Sequence, residues 1–274
     1  MTTFRFRLAT PLRRGLVSLG ALALAYGLVA QVAGGFLPRR IWMTVHYIED
    51  VELLPPYRSL VEELVFLVQS GILQGSVAVS TGRVLRGLAL GAAVGMPLGL
   101  AMARIARFEY LMDPWVTLFR FTPALALLPL YVLWFGFGEA SKVLLIATGV
   151  AVVTLLGAYQ GARDVPRVYL EAAASLGASR WMVLRRIILP AALPQMLSGI
   201  RIAVGLAWVT VVVAELIDAR MPGLGYLLAL AGAYPRVPTI VIALATIALL
   251  VLVSDGLTLA AYRWVTRWMR RRHA

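Results

Sequence analysis

The stretch that decides the fold is Glu171-Ala172-Ala173-Ala174-Ser175-Leu176-Gly177, nine further residues, then Ile187-Ile188-Leu189-Pro190. It is a polar, arginine-bearing segment set between long apolar runs. Val165-Pro166 predicts a helix start, because proline suits the first helical turn. Asp164 is placed to cap that helix. Gly177 predicts its end, since glycine takes the left-handed C-cap conformation without penalty. Ser179 is placed to cap a second short helix, which Pro190 is expected to kink or end. Trp181, Leu184 and Ile188 share one face of it at helical spacing, with Arg180, Arg185 and Arg186 elsewhere. The stretch therefore reads as two short helices joined by a tight turn. On these residues alone it can also be a bent amphipathic connector lying on a membrane.

Composition supplies the setting. The chain has 274 residues, 61% of them hydrophobic, and a mean hydropathy of +0.83. Soluble domains run at roughly 45–50% apolar, so this is an integral membrane protein. The net charge is +13, from 25 arginines and one lysine against 13 acids. A basic balance can indicate nucleic acid, but these arginines cluster at the ends of apolar runs, which suits membrane orientation. The chain has no cysteine, hence no disulfide or thiolate metal site, and its two histidines, His46 and His273, do not make a metal site.

Six spans are expected. Arg5, Arg7, Arg13 and Arg14 precede an apolar run from Gly15 to Phe36, an order shared with signal peptides. The run is long enough to cross a bilayer, which takes about 20 residues, and it reads as a retained first helix. Residues 37–75 form an outer segment. It carries Glu49, Asp50, Glu52, Glu62 and Glu63, and an amphipathic helix after Pro55-Pro56 with Leu60, Leu64 and Leu67 on its apolar face. The second span runs from Val84 to Ala103. Gly87, Gly91, Gly95 and Gly99 fall on nearly one of its faces, where small residues let helix backbones approach closely; packing within the chain is the expected use. Pro97 is a further kink candidate there.

A third span follows Asp113-Pro114 and reaches Phe137, with Pro123 and Pro129 inside it. Membranes tolerate such broken helices only where protein or water-filled space repairs the lost hydrogen bonds, so this span is a candidate pathway wall. The remaining spans are expected at 143–160, 196–217 and 237–262. Arg201 and Asp255 are expected near inner ends of spans, as is Arg120, which is read as orienting its helix. Glu215 and Asp218 are expected at an outer end, solvated, with substrate or proton sensing as the alternative. With six spans the positive-inside rule places eighteen basic residues inside and eight outside, the outer set including Arg83, Arg86 and Lys142. Both termini and the polar loop are then cytosolic.

Enzymatic readings fail on simple grounds. A P-loop needs a lysine among its glycines, and the only lysine sits in Gly138-Glu139-Ala140-Ser141-Lys142. No nucleophile elbow or His-Glu-x-x-His motif occurs.

The polar stretch resembles the EAA loop of ABC-importer permeases at every fixed position: Glu171, Ala172, Ala173, Gly177, Ile187, Leu189 and Pro190. The similarity extends over roughly residues 53 to 265. Pro123 through Leu128-Pro129-Leu130, then Leu133-Trp134-Phe135-Gly136-Phe137-Gly138-Glu139-Ala140-Ser141-Lys142, is similar to the block of the branch serving taurine, alkanesulfonate and nitrate importers. Ala214-Glu215-Leu216 with Gly223-Leu224-Gly225-Tyr226 resembles its later signature. One departure is Ala126-Leu127, where many taurine and sulfonate members carry Ala-Trp and relatives moving heterocycles vary; the substrate stays open.

The resemblance implies an all-α membrane permease that is not itself an enzyme. Its region 76–265 would be the core, with a coupling loop at 161–190, after residues 1–36 (cytosolic N-terminus and first span) and before a basic cytosolic tail at 266–274. It implies no cofactor in this chain, with ATP and Mg on separate cytosolic ATPase subunits. The implied partners are those ATPases, an extracytoplasmic substrate-binding protein, a second permease copy and the lipid bilayer, with no nucleic acid. Glu171 would anchor the ATPase contact and Gly177 would make the turn. Pro123, Pro129, Trp134, Glu139 and Glu215 are the candidate pathway residues. The rival reading is an ion-coupled secondary transporter using Glu215, Asp218 or Asp255; a structural membrane protein is the weaker third. The sequence shows no convincing internal repeat and these acids fall near span ends, which argues against the transporter; the structural reading leaves the spacing of the polar loop without a reason.

Overall fold

A computed structural model describes residues 55–266 apart from 219, 220 and 235, together with Leu24. The expected first span apart from Leu24, most of the outer segment's acids, both histidines and the basic residues of the tail after Arg263 lie outside these residues. Every regular element among the described residues is helical. Helix α1 is Tyr57–Gln69, α2 is Ile72–Arg104, α3 is Ala106–Phe121 and α4 is Leu128–Phe135. Helix α5 is Glu139–Arg163, α6 is Arg167–Ser175, α7 is Arg180–Ile217, α8 is Leu224–Ala233 and α9 is Val237–Val265. Four of these, α2, α5, α7 and α9, are long and apolar enough to cross a membrane, and a bent pair, α3 with the segment Ala124–Phe135, makes a fifth.

The described residues divide into two compact units: 55–80 with 215–256, and 81–214 with 257–266. In the first, Leu67 of α1 is buried with Leu227, Ile242 and Ala243. Glu63 on α1 accepts a hydrogen bond from Thr239. The amphipathic helix of the outer segment thus faces a protein core with one edge. It starts after Pro56 as expected, but α2 begins at Ile72, so the expected boundary at 75/76 falls inside a helix.

The second unit is built on a seam between α2 and α5. A Cβ added to Gly87, Gly91, Gly95 or Gly99 would fall within 3.0 Å of α5, against Ile146, Val150, Thr154 and Leu155 in turn. The contacts advance together along both chains, so the helices run parallel. Close approach through small residues is what dispersion packing in lipid requires, since lipid offers no hydrophobic drive between helices. Two parallel helices need a return path, and α3 with α4 supplies it.

That return path is broken where the sequence places Pro123. The two halves meet at 96°. Thr122, the residue before the proline, is extended at φ −81° and ψ 121°, the conformation that the proline ring imposes on its predecessor. The helix starts earlier than Asp113-Pro114 suggests: α3 begins at Ala106 and Pro114 lies within it. Likewise the second span starts at Ile72 rather than Val84. Arg83 and Arg86, which the charge count places outside, lie within this helix. Both reach Glu139, the first residue of α5: Arg83 Nε donates to Oε1 at 2.9 Å and Arg86 to Oε2 at 2.9 Å. A paired arginine need not end a helix. Arg83 and Lys142, counted above as outer charges, are both buried.

Candidate functional site

The polar stretch folds as two helices around Gly177. Pro166 is the N-cap of α6, and the side chain of Asp164 makes no cap bond; Asp164 instead closes the end of α5. Gly177 has φ +70°. Its N–H donates to Ala174 O at 3.0 Å, and Ala178 N–H donates to Ala173 O at 3.0 Å. This is the paired 5→2 and 6→1 pattern of a Schellman cap. Ser179 caps the next helix by accepting from Met182 N–H at 3.3 Å.

The second helix does not stop at Pro190. It continues unbroken from Arg180 to Ile217. A π-helical turn over Leu184–Ile188 precedes the proline, and Leu189 N–H bonds to Leu184 O. The widened turn displaces the carbonyls that the ring of Pro190 would otherwise meet. The loop is therefore joined rigidly to a span on its C-terminal side.

The loop has an inner and an outer face. Val165 and Ile188 are buried with Ala158, Ala162, Ala192 and Met196, and Leu170, Val183, Leu184 and Ile187 pack against them. Ala173 is buried beside the turn. The outer face carries Val168, Tyr169, Leu176 and Trp181, exposed at 71%, 61%, 87% and 67%. Glu171 and Ala172 are exposed, as is Leu189, and Pro190 is half-buried. The expected single face of Trp181, Leu184 and Ile188 is thus split: Trp181 points outward and Ile188 inward. Exposed apolar side chains interspersed in sequence with the exposed charges Arg167, Glu171 and Arg180 have the character of a protein interface. Val168, Tyr169 and Leu176 escaped the sequence reading, because a helix of nine residues is too short for its periodicity to separate two faces.

The candidate pathway residues go to different places. Pro123 borders a cavity of about 490 Å³ in the second unit, between the bend and helices α5 and α7. Pro129 lies in the first turn of α4, and Trp134 is exposed on it. Neither lines that cavity. Glu139 holds Arg83 and Arg86 as described.

Glu215 corrects the solvated reading. It is fully buried, and so is Asp218. Ser80 Oγ lies 2.9 Å from both carboxylate oxygens of Glu215, and Gly225 N–H donates to Oε2 at 2.9 Å. Ser80 Oγ in turn accepts from Leu224 N–H at 2.9 Å. The start of α8 is thereby fastened to α2 and α7 through one carboxylate. Glycine at 223 is required by space, since a Cβ there would sit 2.5 Å from the carboxyl carbon. Ser80→Ala is expected to destabilise the purified protein by about 1–3 kcal/mol, the cost of removing a partner from a buried polar group. Gly223→Ala should lower the melting temperature further, because the carboxylate itself must move. A melting curve of detergent-solubilised protein checks both; unchanged midpoints would show that the fastening carries no stability.

Comparisons with known proteins agree with this architecture. Residues 95–271 match the family model described as binding-protein-dependent transport system inner membrane component. A probable ABC transporter permease protein of Brucella abortus is 41% identical over 80% of this chain and 87% of its own length. The taurine transport system permease protein of Escherichia coli is 36% identical, over 83% and 85% respectively. A putative aliphatic sulfonates transport permease protein of the same organism is 34% identical, over 95% and 96%. Among solved structures, an inward-facing form of the methionine ABC transporter MetNI superposes with a TM-score of 0.62 at 20% identity, covering 71% of this chain and 96% of that one.

Proposed function

Because the chain belongs to the family of binding-protein-dependent transport system inner membrane components, a permease subunit of an ABC importer, we propose how its parts divide the work. The loop 161–190 is the coupling element. Its outer face docks on a separate ATPase subunit, which binds ATP and Mg, and Glu171 anchors the contact. The single observation that carries this is the two-sided loop: a packed underside continuous with α5 and α7, and an outer patch of Val168, Tyr169, Leu176 and Trp181 left uncovered. A patch of that kind calls for a protein partner, and its rigid attachment lets a push on the loop reach two spans.

The rest of the proposal follows from the family. A substrate-binding protein delivers the solute from outside, two permease copies form the pathway, and both termini are cytosolic. The solute is a small sulfonate of the taurine or alkanesulfonate type, supported by the names of relatives similar over most of this chain. Pro123 belongs to the pathway wall; Glu139 and Glu215 serve it by holding helices in place.

The test is recovery of the tagged chain from gently solubilised membranes. An ATPase is expected to co-purify, and Glu171→Arg is expected to release it while the permease stays in the membrane. A chain that moves solute in vesicles without ATP or any ATPase partner would overturn the reading in favour of ion-coupled transport.

A further inference from the structure

Arg120 is placed where an arginine requires a reason. It lies in the last turn of α3, three residues before Pro123. Ala124, just past the break, faces Gly149: a Cβ at 149 would lie 3.7 Å from that of Ala124. Gly149 is well inside α5, about 15 Å from its start and about 21 Å from its end at 1.5 Å per residue. The break, and with it Arg120, is therefore far from either end of a membrane span, not at the inner interface the sequence suggested. Arg120 is exposed, lies 5.7 Å from the centroid of the Phe121 ring, and has no carboxylate partner among the described residues. A guanidinium at such depth does not face lipid; it faces protein or a water-filled space.

The space it borders is the cavity of about 490 Å³, which also takes in Thr122, Thr148, Gln160, Gln195 and Ser198 and no acid among its described walls. The polar groups differ in what they have left to give. Thr122 and Thr148 donate their hydroxyl protons to Leu118 O and Leu144 O at 2.8 and 2.9 Å. The Gln195 amide donates to Gln160 Oε1 at 3.5 Å. That pairing occupies the Gln160 oxygen and leaves the Gln160 amide N–H groups directed elsewhere. Ser198 has no hydrogen bond among the described residues, so its hydroxyl is also available. The remaining capacity is a cation and neutral donors, set in walls that are otherwise apolar.

We propose that this cavity is a station for the small organic anion in transit, with Arg120, the Gln160 amide and the Ser198 hydroxyl receiving its charged end and the apolar walls its short alkyl part. It rests on the permease reading with its sulfonate solute and adds the place in the pathway, and the residues, that hold the anion. A sulfonate suits the set, because it spreads one negative charge over three acceptor oxygens and needs several donors and no acceptor. A group that only completes the C-terminal turn of α3, where positive charge is also favoured, would not depend on what stands at residue 160.

The test uses membrane vesicles containing the complete transporter, with radiolabelled taurine and radiolabelled ethanesulfonate as probes. Wild type is expected to import at least one. Arg120→Gln and Gln160→Glu are each expected to lower that import by about tenfold or more, the loss of one charge-assisted contact, while the ATPase still co-purifies. Arg120→Lys should restore part of it. Gln160→Glu is nearly isosteric and changes charge rather than packing, so it decides the matter if Arg120→Gln fails to accumulate. Near-normal import by Gln160→Glu, or an intact wild-type complex that imports neither probe, would overturn the anion station. Import by wild type without any ATPase would instead overturn the permease reading, and the two failures are distinguishable.

Discussion

Gly177→Val is expected to abolish recovery of the ATPase with this permease, and solute uptake with it, while leaving the protein in the membrane. Residue 177 sits at φ +70°. A left-handed conformation costs an ordinary residue roughly 1–2 kcal/mol, and a β-branched side chain is the poorest fit to it. The helix it closes, α6, has nine residues, too few to hold together without its cap and its packing. Once the turn relaxes, the Ala173 and Ala174 carbonyls lose the N–H groups of Ala178 and Gly177. The four exposed apolar side chains then no longer form one surface. The spans are untouched, because nothing lies within 4 Å of a Cβ at this position. That last fact makes the control informative. Asn tolerates the left-handed region, so Gly177→Asn should keep most of the co-purified ATPase. Equal loss in both variants would mean that size at the docking surface matters and the turn does not. Wild-type uptake by the valine variant would remove the coupling role from this turn.

The second large effect is expected at Gly95. Here the glycine is a matter of space: a Cβ would meet the Ala151 carbonyl oxygen and Thr154 Oγ1 far inside van der Waals contact. A backbone carbonyl cannot swing aside, so even Gly95→Ala must push α2 away from α5, and Gly95→Leu should leave little folded protein. Overpacking of an interior commonly costs about 1–3 kcal/mol, and the seam repeats at three further glycines that a displacement would also disturb. Gly205 provides the contrast. It lies within α7 with nothing within 4 Å of a Cβ, so Gly205→Ala should be neutral or gain up to about 1 kcal/mol from helix propensity. The measurement is the yield of monodisperse protein by size-exclusion chromatography after solubilisation, followed by thermal unfolding. A Gly95→Ala variant as stable as Gly205→Ala would show that the seam opens without cost.

The two glycines illustrate what a sequence can carry. At Gly177 the signal is local: a glycine after a short helical run and before Ser179, at a spacing a permease loop shares. At Gly95 the signal is periodic, and it identified a packing face but not the partner. Nothing in residues 84–103 says that α5 lies opposite, or that it runs parallel.

Local rules determined much by themselves. Apolar runs longer than a bilayer must be helical, since unpaired backbone groups are intolerable in lipid. Pro123 marks the break in its helix, since it lacks an N–H and holds Thr122 extended, although Pro114 is accommodated within α3. The Schellman turn at Gly177 and the Ser179 cap are one-turn events. The tertiary structure decided everything that depends on a distant partner. Arg83 reads as a charge outside the membrane until Glu139 is brought to it. Glu215 reads as solvated until Ser80 and the Gly225 N–H surround it. Pro190 reads as a stop until the π-helical turn before it absorbs the ring. Arg120 reads as an interfacial charge until the bend and α5 place it beside a cavity. The physical reason is common to all four. Charge and hydrogen-bonding capacity are fixed by residue type, but their free energy depends on what desolvates and pairs them, and those groups lie up to 135 residues away in the chain.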